Sequence, residues 1–276
     1  MAKRKLLFAS IELHKESISD RVFQDDGYRL ELKGGKIIKR ISDQSDPKLF
    51  FPLLSLLKNE FDVLGYLFSE DAPVPKPLSL DSCNGVLIEK FIPYKTLHQI
   101  RFRLSMEAQV ALVLEIARTL HLQLHKKGVT HHDLHPGNFV LGPKLTFIDF
   151  SASSRLGFRQ TSKIVYGSVP RTYWGYAAPE EYTFDKAPDS GSSGDIFSLG
   201  AIFYDLLSGQ APFCELRPSV SNSLDLLDTP FWPVLNRAMK KAWQDRYRNA
   251  LELADEIDKI AVKEGLKIPP YLQEVE

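Results

Sequence analysis

The 276-residue chain predicts an α+β protein of two lobes, a small sheet-rich one followed by a larger, mainly helical one. Three observations carry this. Period-two alternation punctuated by glycine turns fills residues 18–41, helical periodicity dominates from residue 105 onward, and a proline-bounded apolar run ending at Pro93 lies between the two regimes. Strands gathered first and helices afterwards is the order of an α+β fold rather than of alternating parallel units. The lobes are placed at residues 1–93 and 94–276.

Asp25-Asp26-Gly27 and Lys33-Gly34-Gly35 are hairpin turns, so three antiparallel strands are expected before residue 42. The third, KIIKRI from Lys36 to Ile41, puts Ile37 and Lys39 on one face. Phe51, Leu54, Leu57, Phe61, Leu64 and Phe68 recur every three or four residues and predict an amphipathic helix over 49–68 that carries Glu60. GVLIEKFI, from Gly85, reads as a buried strand ended by Pro93. A long helix is predicted over 105–127, with Ser105 at its start and Lys126-Lys127-Gly128 as a cationic end. DIFSLGAIFYDLL is apolar almost all round, which predicts a buried helix over 194–209. Shorter helices are expected over 224–227, 232–243 and 249–263. Residues 151–172 are polar and aperiodic, a loop too long to be a mere connection.

With 43% apolar and 25% charged residues the chain can bury a core without staples. Basic and acidic residues balance at 35 each, so no global field draws it to nucleic acid, and any anionic ligand must be met by local charge. Cys83 and Cys214 have no partner at metal-ligand spacing, which argues against a disulfide framework or zinc site and for a reducing compartment. The apolar run from Leu6 stops at Glu12, too short for a secretory signal, and no run is long enough for a membrane span. A cytoplasmic location is the resulting expectation.

The chemistry concentrates in THHDLHPGNFVL, residues 130–141, and TFIDFS, residues 146–151. Asn138 follows Asp133 by five positions and Asp149 follows Asn138 by eleven, a spacing that lets one hairpin present three oxygen-bearing side chains at a single mouth. Such ligands suit Mg²⁺. Each residue also has an ordinary explanation, Asp133 and Asp149 as turn formers and Lys39 as a solvated strand lysine. Their ordered occurrence together is what argues for a site.

That order resembles the protein-kinase superfamily over residues 20–263. His131-His132-Asp133-Leu134 with Asn138 resembles the catalytic loop, Asp149-Phe150-Ser151 the metal-binding segment, and Ala178-Pro179-Glu180 the end of the activation segment. Asp195 with Ser198-Leu199-Gly200 is similar to the buried helix behind the catalytic loop, and Arg246 falls where an arginine pairs with that glutamate. The resemblance implies ATP and Mg²⁺ as cofactors and gives each residue a role. Asp133 would orient and deprotonate the acceptor hydroxyl, Asn138 and Asp149 would hold the metal, Lys39 would contact the phosphates, and Glu60 would pair with Lys39. The adenine would lie under Glu89-Lys90-Phe91, bonded by backbone, with Ile37 and Val140 on its faces.

The chain departs from the family pattern in several places. Its candidate phosphate-covering turn, residues 23–28, has one glycine and two acids, Ile37 stands where alanine is usual, and Ser151 replaces a glycine. His132 replaces the arginine that gathers an activation-loop phosphate, His135 stands where a lysine is usual, and Tyr173 stands where a threonine is expected. Three readings follow: a kinase for protein Ser/Thr hydroxyls, favoured by the long segment ending in Ala-Pro-Glu; a kinase for a non-protein hydroxyl such as a lipopolysaccharide core sugar; and a nucleotide-binding pseudokinase.

Overall fold

A computed structural model describes residues 4–6, 21–25, 27–44, 46–155, 175–182, 191–212 and 227–274. Strand β1 is Arg4–Leu6, and β2 (Arg21–Asp25), β3 (Tyr28–Lys33) and β4 (Lys36–Ile41) form the expected meander. Gly34 and Gly35 both take positive φ (57° and 72°), the conformation a tight hairpin requires and a side chain resists. Helix α1 (Pro47–Ser69) follows, then β5 (Pro77–Asp81) and β6 (Val86–Lys90). The five strands make one antiparallel sheet in the order β2-β3-β4-β6-β5, with β4 central.

Asp46 caps α1 by accepting the Lys48 amide at 2.9 Å, and Pro47 fits the first turn, where its missing N–H costs nothing. Of the expected stripe of α1, Leu54, Leu57 and Leu64 are buried, together with Leu53, Glu60 and Leu67, whereas Phe51 and Phe68 are 64% and 41% exposed. The buried face is shifted from the expected one towards the side that turns Glu60 beneath the sheet.

The second half is helical. Helices α2 (Leu97–Ile100) and α3 (Met106–Thr119) lead into a π turn over Leu120–Leu124 and a 3-10 turn over His125–Lys127, and Gly128 stops the run with φ 74°. The uniform helix expected over 105–127 therefore changes pitch twice, which keeps Leu120 and Leu124 both buried and turns His125 towards Asp195. Short strands β7 (Val129–Thr130), β8 (Phe139–Leu141), β9 (Leu145–Phe147) and β10 (Ser154–Arg155) pair antiparallel as β7 with β10 and β8 with β9. Helices α4 (Ser193–Ser208), α5 (Trp232–Ala238) and α6 (Ala250–Lys263) complete the bundle, and β11 (Leu272–Glu274) pairs with β1, a closure the sequence did not announce.

Helix α4 is buried on nearly every side, as its composition required. It crosses α5 closely: a Cβ on Gly200 would lie 2.7 Å from that of Ala238. Helix α5 ends sooner than expected because the carbonyls of Lys240 and Lys241 turn to accept from Arg246 instead of continuing the helix. The helix expected over 224–227 lies mostly outside the described residues, and that over 249–263 forms with Asn249 as its N-cap. Among the described residues no helix is long and apolar enough to cross a membrane.

Candidate active site

Pairing register sets the upper wall of the site. In the antiparallel β4–β6 ladder Lys39 faces Leu87 and Ile37 faces Glu89, and directly paired residues share a face, so all four point to the same side of the sheet. Helix α1 packs on that side and delivers Glu60. Lys39 Nζ is 3.0 Å from Glu60 Oε2 and 3.2 Å from Asp149 Oδ1, and stands 4.8 Å over the Tyr28 ring. The ion pair inferred from sequence forms, and the same ammonium reaches across to the hairpin that carries the other half of the site.

Burial works against the Lys39 ammonium, yet Asp149 and Glu60 together raise its pKa well above the usual lysine value. Asp149 is held below the carboxylate range: burial opposes this, but Lys39 and the Ser151 amide, both on Oδ1, outweigh it. Burial lifts Glu60 to about 7 while Lys39 pulls it back. Asp149 is thus the firmly ionised acid of the cluster, and its Oδ2 remains for a cation.

The lower wall is the β8–β9 hairpin and the loops around it. The hairpin is tied to the first lobe through Phe147 N to Pro73 O (3.0 Å) and to the chain after Pro93 through Leu141 N to Lys95 O (2.9 Å). Asn138 donates Nδ2 to the Asp133 carbonyl at 2.8 Å, which fixes the amide so that its oxygen is the atom left to present. With Asp149 this gives two oxygen ligands of the kind Mg²⁺ takes, so the residues fit the metal inferred from sequence. Asp149 sits at φ 60° and His132 at φ 64°, strained for residues with a Cβ. Asn59 helps to hold the first, reaching the Ser153 carbonyl at 2.8 Å and those of Phe150 and Ser151 at 3.4 Å.

Asp195 holds the second. Its carboxylate accepts the His131 amide at 2.9 Å, the His132 amide at 2.8 Å and His125 Nε2 at 2.9 Å. Burial alone would raise the Asp195 pKa, but the His125 hydrogen bond and the neighbouring histidines lower it to about 2. A carboxyl whose folded pKa lies below its unfolded one gives stability that is complete above about pH 4 and lost as pH falls towards 2. Asp195→Asn should therefore flatten the fall of the urea midpoint across that window; an unchanged slope would show that Asp195 does not carry it.

His131 packs its ring 4.8 Å from that of Phe150, and burial lowers its pKa, so it stays neutral and structural. His132 bridges Glu181 Oε1 (3.0 Å) and Ser154 Oγ (2.7 Å). His135 is buried and accepts the Gly137 amide at 3.1 Å, shaping its own turn. Arg246 pairs with Glu180 through two bonds of 2.5 and 2.7 Å and donates to the Ser193 carbonyl at 3.0 Å. Glu181 Oε1 lies against the start of α4, 2.8 Å from where a Cβ on Gly194 would be.

Lys39, Glu60 and Asp149 are thus in direct contact, Asp133 and Asn138 are joined, and Val140 is buried on β8 beside them. Ile37 and Glu89 are paired on the cleft face, but in the connecting segment the Lys90 amide is bonded to Lys76 O and the Phe91 amide to Gly35 O. Those two donors are not available to a base. The side chains at positions 25 and 26 and residue 173 lie outside the described residues. Sequence reasoning missed Asn59 and the inward turn of the Glu89 side chain. An acid in an otherwise apolar strand, in phase with Leu87, was the available signal for the latter.

The protein kinase domain family matches residues 78–266. The chain belongs to the protein kinase family. The match begins at β5, so the Lys39–Glu60 pair lies outside it and rests on the structure. Among its relatives are the serine/threonine-protein kinase PknJ of Mycobacterium tuberculosis, 30% identical over 52% of this chain and 27% of that protein. Pkn1 of Myxococcus xanthus is 26% identical over 68% of the chain and 29% of its own length. The unc-51 kinase of Caenorhabditis elegans is 28% identical over 60% and 19%. The chain spans less than a third of each of these relatives. The kinase fold, a small antiparallel sheet with one helix followed by a helical lobe, is the one observed.

Proposed function

We propose that the chain is an ATP- and Mg²⁺-dependent protein kinase that phosphorylates Ser/Thr hydroxyls. The observation that carries this is Lys39 bonded at once to Glu60 and Asp149, an ammonium positioned between a strand, a helix and the metal-binding segment. Phosphoryl transfer asks mainly for positioning and charge. In this reading Lys39 holds the α- and β-phosphates and Glu60 aims it. Asn138 and Asp149 hold Mg²⁺, whose charge offsets that of the phosphates. Asp133 orients the acceptor hydroxyl and takes its proton while the hydroxyl oxygen bonds to the γ-phosphorus and ADP leaves with the bridging oxygen. Ile37 and Val140 line the base, and residues 1–93 and 94–276 act as the lobes above and below it.

The acceptor class is drawn from the printed names of the relatives, which are serine/threonine-protein kinases. Offering γ-labelled ATP with basic acceptor proteins beside a lipopolysaccharide extract tests it, with Asp133→Asn as the blank. Label on protein Ser or Thr is expected; label only on the glycan would reject the protein acceptor. Nucleotide binding with no transfer to anything would reject catalysis and leave a pseudokinase.

A further inference from the structure

The rear of the cleft holds a carboxyl that phosphoryl transfer does not use. Glu89 lies on β6 on the face shared with Ile37, Leu87 and Lys39. Its Oε2 is buried and has no hydrogen-bond partner. Lys39 bonds the carboxyls of Glu60 and Asp149, and Glu89 Oε2 stands outside those bonds. A buried polar atom left unpaired is unfavourable and calls for an explanation, and beside a cleft a bound ligand supplies one. Nor is this atom at the surface, where water would satisfy it.

The protonation state follows from the same surroundings. Burial first, then the Glu60 carboxylate, push Glu89 up to about 8, with Lys39 pulling the other way. Burial thus favours the neutral carboxyl, which has one O–H donor and one carbonyl acceptor, the pattern of a glutamine amide. That pattern complements an adenine edge, which offers the N6 amine beside the N7 acceptor, and mismatches guanine, which offers O6 and N7, both acceptors. The need for such a group is sharpened by the neighbouring amides of Lys90 and Phe91, which are already bonded within the protein.

We propose that Glu89 is a base-specificity residue of the nucleotide cleft, its carboxyl pairing with the donor-and-acceptor edge of adenine and disfavouring guanine. This deepens the proposed function and rests on its nucleotide site. It concerns the Glu89 side chain, whereas the family resemblance assigned only backbone contacts to this segment.

The test is calorimetric binding of non-hydrolysable ATP and GTP analogues, with Mg²⁺, to the full chain, so no turnover is needed. Wild type should favour the adenine analogue by about tenfold or more, the scale of one good bidentate base contact. Glu89→Gln, which keeps one donor and one acceptor in nearly the same volume, should retain that preference. Glu89→Leu should reduce it to within about threefold by weakening the adenine analogue while leaving affinity for inorganic tripolyphosphate unchanged. Thermal melts of both variants establish folding, and the glutamine variant alone decides the matter if the leucine variant does not fold. Equal binding of both analogues by wild type, or a glutamine variant without preference, would overturn the role of Glu89 while leaving the nucleotide site standing. Failure of wild type to bind either analogue would overturn both.

Discussion

Asp149→Ala is expected to abolish phosphoryl transfer, lowering kcat by roughly 10³-fold or more, while the protein stays folded. Both halves of that expectation come from the position of the side chain. It is 32% exposed and makes its bonds to Lys39 and the Ser151 amide at the mouth of the site, so its loss opens no core cavity. Lys39 keeps Glu60 at 3.0 Å and is not stranded. What disappears is the ionised acid bonded to Lys39, and with it the charge that a cation would need beside Asn138. The measurement is label transfer from γ-labelled ATP under single-turnover conditions, with a thermal melt alongside. A variant that keeps more than about a tenth of the wild-type rate would remove Asp149 from the metal site.

Arg246→Ala should produce the largest loss of stability, about 3–5 kcal/mol. The guanidinium is completely buried and all of its donors are engaged. Nε bonds the Lys240 carbonyl, Nη1 bonds Glu180 and the Ser193 carbonyl, and Nη2 bonds Glu180 and the Lys241 carbonyl. It also lies 4.9 Å over the Phe197 ring. Removing it leaves the Glu180 carboxylate, whose side chain is 8% exposed, without its counter-charge, and leaves three carbonyls without their donor. For a chain of this size the loss corresponds to a fall of about 5–9 °C in Tm. Urea unfolding of the variant decides it; a change below about 1 kcal/mol would show that water replaces the arginine.

The fold was legible in the sequence wherever a local rule decided it. The glycine turns at residues 27 and 34–35 and the all-apolar 194–209 helix each act over a few residues. The face that α1 buries could be read in this way only in part. Leu54, Leu57 and Leu64 are buried as expected, but Leu53 and Phe51 are comparable in hydrophobicity, and which of them is buried follows from bringing Glu60 against Lys39, twenty-one positions away. The pitch change after Thr119 was hidden for the same reason, since it is set by the reach of His125 to Asp195, seventy positions on. In the site, the acids, the amide and the lysine were visible because their order along the chain is itself a signal. Asn59 gave none, because an asparagine on a helix says nothing about three carbonyls some ninety positions later.

The first turn of α4 has a kinetic consequence. Asp195 takes the amides of the loop before Asp133, the Ser193 carbonyl takes the arginine that holds Glu180, and Gly194 lets Glu181 come close. Two separate stretches of chain are therefore moored to three consecutive residues. The amide hydrogens of His131 and His132, which share the Asp195 carboxylate, are therefore expected to exchange together and no faster than that turn unwinds, which hydrogen exchange would measure. The strained conformation at His132 lasts as long as a helix end on the opposite side of the loop remains intact.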